Sequence, residues 1–192
     1  MMLKIWLSTA APGHCTLDSA DVPFINEFEA GVSVANKFPS NMSYQMSELF
    51  PDDILLSDNF NVSGQIVISG RLKTYIVGAL PDHSIEFLPV SIINHKGRVA
   101  ATDYFILHSL GLVDCINIEE SAVTWNPLDE KIIMECEGLV IDENRIPTNV
   151  KIFRPLHWGS ETMVLPKFAD ELKAAGFTGL RFIPANGYTG IG

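Results

Sequence analysis

Five histidines, three cysteines and 23 carboxylates are the groups in this chain with the means to do chemistry. Nucleophilic catalysis needs a thiol and an imidazole facing each other. His14 and Cys15 are adjacent in sequence, and neighbours on an extended chain point to opposite sides. His83, Glu86 and the nearby Asp82 would bind a metal only from one face. Three residues apart at a strand entry, His83 and Glu86 fall on opposite faces unless the loop folds back. Asp103 and His108 lie five apart in one apparent strand, again on opposite faces. His157-Trp158 follows Pro155, where the tryptophan is expected to cover a sheet edge. Glycosidase chemistry needs two carboxyls held at a set separation across a cleft. The adjacent pairs Asp52-Asp53, Glu119-Glu120, Asp129-Glu130 and Asp142-Glu143 instead read as solvated turns. No dinucleotide or phosphate-binding glycine loop, zinc-protease helix motif, serine-hydrolase elbow or calcium loop is present in the sequence.

Any site must be held by elements, and these are visible as periodicity. Leu3–Ser8 reads as a first strand, and Val62–Ile68 as another. Ser69 is placed to cap a helix whose apolar stripe is Leu72, Tyr75, Ile76, Ala79 and Leu80, ended by Pro81. Ile85–Asn94 is a strand in which Pro89 marks an edge or a bulge. His95-Lys96-Gly97 turns the chain into a returning strand, Val99–Leu107. Val113–Ile118, Lys131–Ile141, Val150–Arg154 and Thr162–Leu165 read as extended, with a turn at Asp142-Glu143-Asn144. Pro166 opens a second helix with Phe168, Leu172 and Ala175 on one face and Gly176 as its stop. Leu180–Ile183 is the last strand, and the Gly-rich end after it is expected to fray. Long runs of strands with two well-formed helices predict an α+β fold with a mostly antiparallel sheet and two or more packed helices.

Size and charge narrow the function. A chain of 192 residues is long enough to bury a core without a metal or disulfide staple. The three cysteines, Cys15, Cys115 and Cys136, are widely spaced and predict reduced core thiols. The apolar run Ile5-Trp6-Leu7 is too short for a secretory leader, and no run reaches the length of a membrane span. A cytoplasmic protein without cofactor or metal is expected. Net charge is −10, which argues against a nucleic-acid or anionic-membrane partner. Residues 1–60 carry eight of the acids against Lys4 and Lys37. With Pro12, Pro23, Pro39 and Pro51 among them, they read as an irregular acidic segment with one strand. Residues 61–185 form the main α+β unit in this reading, and 186–192 a flexible tail.

Five runs follow one another in a familiar order: Ile85–Gly97, Asp103–Ser121, Gly138–Asp142, Lys151–Pro155 and Phe168–Phe182. This order resembles a family first filed as a domain of unknown function and later assigned to immunity proteins of bacterial polymorphic toxin systems. The matching positions are Glu86 with Pro89, Tyr104, Cys115 to Ser121, Ile152-Phe153-Arg154, and Gly176, Gly179 and Phe182. The resemblance covers about residues 60–185 and departs from the pattern at Asn117, where an acid is expected. It implies an antidote that binds a cognate toxin domain, with structural rather than catalytic matched positions.

The sequence therefore leads to an immunity protein that neutralises a basic toxin domain by direct contact. The expected contact residues are Asp18, Asp21, Glu27, Glu29, Asp52, Asp53 and Asp58, with Phe24 and Phe28 as exposed anchors. Negative potential gives such a surface its on-rate, and a few buried anchors its affinity. The competing reading is a small cytoplasmic hydrolase or transferase with a site near His83, Glu86, Asp103 or His157. A third is a structural adaptor. Oligomeric state is left open by the sequence.

Overall fold

The structure is a computed structural model that describes residues 2–80 and 84–190. Its strands are built on strict alternation. In β1 (Lys4–Ser8) Ile5 and Trp6 are both fully buried, yet they join different cores. After it come α1 (Ile25–Glu29), β2 (Ser43–Gln45), β3 (Asn59–Val62), β4 (Gln65–Ser69) and α2 (Gly70–Ala79). The long hairpin β5 (Ile85–Ile93) and β6 (Val99–Ser109) leads to β7 (Leu112–Val113) and α3 (Ile118–Ser121). Then follow β8 (Val123–Asn126), β9 (Asp129–Cys136), β10 (Ile152–Pro155), β11 (Met163–Val164), α4 (Pro166–Ala174) and β12 (Leu180–Pro184).

These strands make two five-stranded sheets and a separate hairpin. The first sheet runs β12-β1-β11-β10-β7, the second β2-β5-β6-β4-β3, and β8 pairs with β9. The fold is α+β and mostly antiparallel as expected, with one parallel pairing in each five-stranded sheet. β10 pairs β7 in parallel, and β2 pairs β5 in parallel. Parallel neighbours need a long crossover rather than a turn, and β2 reaches β5 from the far side of β3, β4 and α2.

The alternation produces three apolar cores. Ile66 and Ile68 of β4, Phe105 and Leu107 of β6, Trp6 of β1 and Ile152 of β10 meet α2 and α4 in a central core. The opposite faces of β4 and β6, with Val67, Tyr104 and Ile106, are covered by N-terminal residues including Cys15, Phe28, Val34 and Tyr44. The opposite face of the first sheet, with Ile5, Phe153 and Met163, is covered by Cys115, Ile116, Ile133, Leu139 and Ile141. Each sheet is thus buried on both faces by apolar side chains, which supply most of the stabilisation.

The helices follow local rules. The Ser69 hydroxyl accepts the Leu72 amide at 3.2 Å and caps α2, and Leu72 and Ile76 are buried beneath it. Pro81, expected to end that helix, lies outside the described residues. Pro166 starts α4, and Gly176 stops it at a φ of 73° that favours glycine. Pro89 sits next to a bulge, on a stretch of β5 that β2 leaves unpaired. β2 pairs only at Ser91–Ile93, so Pro89 has an open outer side, and the register shifts between Val90 and Ile92.

Two expectations change. Val62–Ile68 is not one strand but the end of β3, a turn and most of β4. Ser63 and Gly64 both take positive φ, 50° and 79°, the signature of a two-residue hairpin turn that matches strand twist. The end of the chain is not frayed as far as Tyr188. Its carbonyl accepts the Leu139 amide at 2.9 Å, Ala185 bonds Leu3, and both Ala185 and Tyr188 are buried.

Candidate protein-interaction surface

Several of the groups able to do acid–base chemistry hold the fold together. The Glu86 carboxylate accepts the Ser33 hydroxyl and the Val34 amide, fastening the N-terminal segment to β5. Glu86 pairs with His108 across the sheet, and Asp103 lies five residues further along β6, about 16 Å away at strand rise. His108 is buried, donates from Nε2 to the Val32 carbonyl at 2.9 Å, and stacks on Phe28 at 4.4 Å. Burial lowers its pKa, so it is a neutral packing residue. His157 donates from Nδ1 to the Lys131 carbonyl at 2.8 Å and meets Trp125 edge-on. It borders a cleft of about 540 Å³ with Glu29, Lys131 and Ile133. Among the described residues no hydroxyl or thiol is hydrogen-bonded to the His157 ring. Trp158 is buried in the core over the first sheet and tilts against Tyr188. Asp82 and His83 lie outside the described residues. Among the described residues, no hydrogen bond or ion pair joins Glu86, Asp103 and His157.

His14 and Cys15 are separated as alternation predicts. His14 Nδ1 lies 2.8 Å from the Ser57 hydroxyl, while the Cys15 thiol is buried in the N-terminal core. Burial pushes Cys15 up to about 11 and Cys115 up to about 12, and raises Cys136. All three are free thiols held in the unreactive protonated form. Among the described residues no group of three His, Cys, Asp or Glu side chains is arranged to hold a metal.

The acidic segment divides by burial. Asp18, Asp21 and Asp52 are exposed, and Asp53 is half-buried. Glu27 is held by Lys37 at 2.7 Å, and the same ammonium lies 4.2 Å over the Phe24 ring. Phe24 is half-buried at a positive φ of 66°, just ahead of α1. Phe28 is corrected: it is fully buried on the inner side of α1 and cannot be a surface anchor. Glu29 is half-buried at the edge of the cleft, and its charge acts on the buried guanidinium of Arg154. Arg154 donates from Nη1 to the Gly159 carbonyl, while its Nε and Nη2 have no hydrogen-bond partner. Burial brings Arg154 down to about 10 against the opposing pull of Glu29 and Glu161.

Asp58 is a clasp. Its carboxylate accepts Arg71 Nη2 at 2.6 Å, the Ser69 hydroxyl at 2.7 Å and the Thr178 amide at 2.9 Å. Burial alone would raise its pKa, but these donors bring it down to about 2. With its lone pairs committed, Asp58 serves structure and contributes charge only to the wider field.

Sequence reasoning missed the apolar side of this surface. Between Ser47 and Leu56 the chain reads Glu48-Leu49-Phe50-Pro51-Asp52-Asp53-Ile54-Leu55. Leu49 is 81% exposed, Ile54 63%, and Phe50 and Leu55 53% each. The run is tied down at both ends. His95 donates from Nε2 to the Ser47 carbonyl at 3.0 Å, and Ser47 donates its amide to Thr16 at 2.9 Å. Leu55 exchanges backbone bonds with Gly13 and Cys15, both 2.9 Å. A sequence signal existed: four large apolar residues among three acids, with no Lys or Arg from 38 to 70.

The comparisons with known proteins now have a structure to rest on. The profile of the Immunity protein family (Imm11) matches residues 12–187. The chain belongs to the Imm11 immunity protein family. No curated protein matches the chain. The Imm11 match takes in most of the acidic N-terminal segment, which the motif resemblance over 60–185 had left outside. The positions that carried that resemblance are structural in this Imm11 chain. The Tyr104 hydroxyl donates to the Ser57 carbonyl at 2.8 Å, and Phe182 meets Trp6 edge-on at 5.4 Å. Asn117, standing where an acid was expected, does a cap's work. Its side-chain oxygen accepts the Glu120 amide at 3.3 Å at the start of α3. Membership implies a toxin partner in general terms. No helix among the described residues is long and apolar enough to cross a membrane.

Proposed function

We propose that this Imm11 protein neutralises a cognate secreted toxin domain by binding it directly in the cytoplasm, with no bond made or broken on its own surface. The observation that carries the reading is the family match over residues 12–187. The net charge of −10 supports a basic partner, since complementary potential speeds encounter and rejects wrong partners. The exposed acids Asp18, Asp21 and Asp52, the half-buried Asp53 and Phe24 form the toxin-facing side in this reading. Glu27, Glu29 and Asp58 act on it through the field rather than by contact.

The test is to read the gene beside the one for this chain and, where it encodes a large secreted protein, to co-express that protein's C-terminal domain with this chain. Survival of cells that the domain alone kills, together with co-purification of the two at fixed stoichiometry, is the expected result. Survival without a complex would point to an enzymatic antidote. Reversing Asp18, Asp21, Asp52 and Asp53 to lysine should slow association at least 10-fold at low salt and flatten its salt dependence.

A further inference from the structure

The exposed run Glu48–Leu55 offers more than charge. Single exposed apolar residues are ordinary on a protein surface, whereas several together mark a contact site. Here Leu49, Phe50, Ile54 and Leu55 are all at least half exposed within seven residues. They are not on a slack loop. Met46 and Ser47 before them, and Ser57 after, are buried, and the run is bonded to residues 13–16 and to His95. Two turns, Phe50 to Ser47 and Asp53 to Phe50, hold the tip, and Pro51 fixes a backbone angle inside it. A segment ordered in advance presents its side chains without the entropy cost of ordering them on binding.

We infer that this ridge is the part of the protein that enters the toxin, with Phe50 and its apolar neighbours seated in a groove. The inference rests on the immunity reading above. The occupant is fixed by charge. Glu48, Asp52 and Asp53 stand among the apolar residues, and no Lys or Arg occurs from 38 to 70. Lys96 and Arg98 follow in the turn after His95, whose ring holds the Ser47 carbonyl. A second copy of this chain would set three acids against three acids, a repulsive contact. The partner that fits is a protein with an apolar groove rimmed by lysine and arginine. Desolvated apolar anchors ringed by complementary charge are the arrangement that gives both affinity and selectivity.

The experiment uses the full chain and the toxin domain identified by the co-expression test above, with affinity read by calorimetry or surface binding. Three proteins are compared: wild type, Phe50→Ser/Ile54→Ser, and Asp18→Lys/Asp21→Lys. The altered side chains are exposed, and unchanged melting confirms that each variant is folded. The expected result is a loss of at least 30-fold for the apolar pair, carried in the off-rate, and less than 10-fold for the Asp18/Asp21 pair. A second variant, Asp52→Lys/Asp53→Lys, should lower the on-rate at least 5-fold at low salt. If wild type binds and the apolar pair binds within threefold of it, the ridge is not the anchor and the immunity reading stands. If wild type shows no binding to the domain, the reading falls and the ridge proposal with it. Dimerisation of wild type that the apolar pair abolishes would assign the ridge to self-association and overturn the proposal.

Discussion

Gly179 stands where the C-terminal chain crosses the start of β3. A Cβ there would collide with the Asn59 carbonyl oxygen and lie 2.8 Å from the Ser57 side chain, at a φ of 77°. Backbone cannot yield as a flexible side chain can. Gly179→Ala is therefore expected to cost at least about 3 kcal/mol, lowering Tm by about 6–12 °C for a chain of this size. Gly97 also has positive φ, 68°, but its Cβ would meet nothing within 4 Å. Gly97→Ala should cost only about 1 kcal/mol, the backbone preference alone. Thermal melts of the two variants side by side separate collision from conformational strain. Equal losses would show that the crossing at Gly179 relaxes freely.

The elements are fastened by Asp58, which joins the start of β3, the cap of α2 and the loop before β12. Its folded pKa of about 2 lies below its ordinary 3.8. A depressed carboxylate contributes stability above its unfolded value and loses it as pH falls through the folded one. After allowance for solvent screening this is about 1–2 kcal/mol at pH 7. Asp58→Asn should lose that amount at pH 7 in urea unfolding. The gap between the two proteins should close between about pH 4 and pH 2. A constant gap over that range would mean that shape rather than charge is what Asn fails to replace.

What could be read ahead at this scale depended on distance along the chain. The Ser69 cap, the Pro166 start, the Gly176 stop and the Asn94–Arg98 turn were legible because each is satisfied within a few residues. The turn at Ser63-Gly64 was overlooked because apolar residues on both sides blended two strands into one. β8 was not seen, and Lys131–Ile141 was read as one strand where β9 stops at Cys136. The parallel pairing of β2 with β5, and the division into two sheets, have no local signature, since they join residues far apart. Phe28 was read as exposed because a helix of five residues is too short to show a face. Acidic residues around position 50 were legible from charge alone. The exposure of Phe50 and Ile54 was not, because alternation with acids looks the same in a half-buried strand.

For the whole molecule, the three thiols report on how the layers hold together. Cys15 lies in the layer covering the second sheet, and Cys115 and Cys136 in the layer covering the first. Alternating strands such as β1 tie adjoining cores, so the layers should open as one unit. In native buffer none of the thiols should react with a disulfide reagent at pH 8 within an hour. Across a urea titration Cys15 and Cys115 should become reactive at the same midpoint. Separate midpoints would reveal that one covering layer peels away first.

The place of β1 also bears on how the folded chain comes into being. Its two neighbours, β11 and β12, lie beyond residue 162. At about 5–20 residues per second of synthesis, the opening strand travels unaccompanied for roughly 8–30 seconds. A ribosome that stops before residue 163 therefore leaves this strand with neither partner, and its pairing is complete only once Leu180–Pro184 has been made.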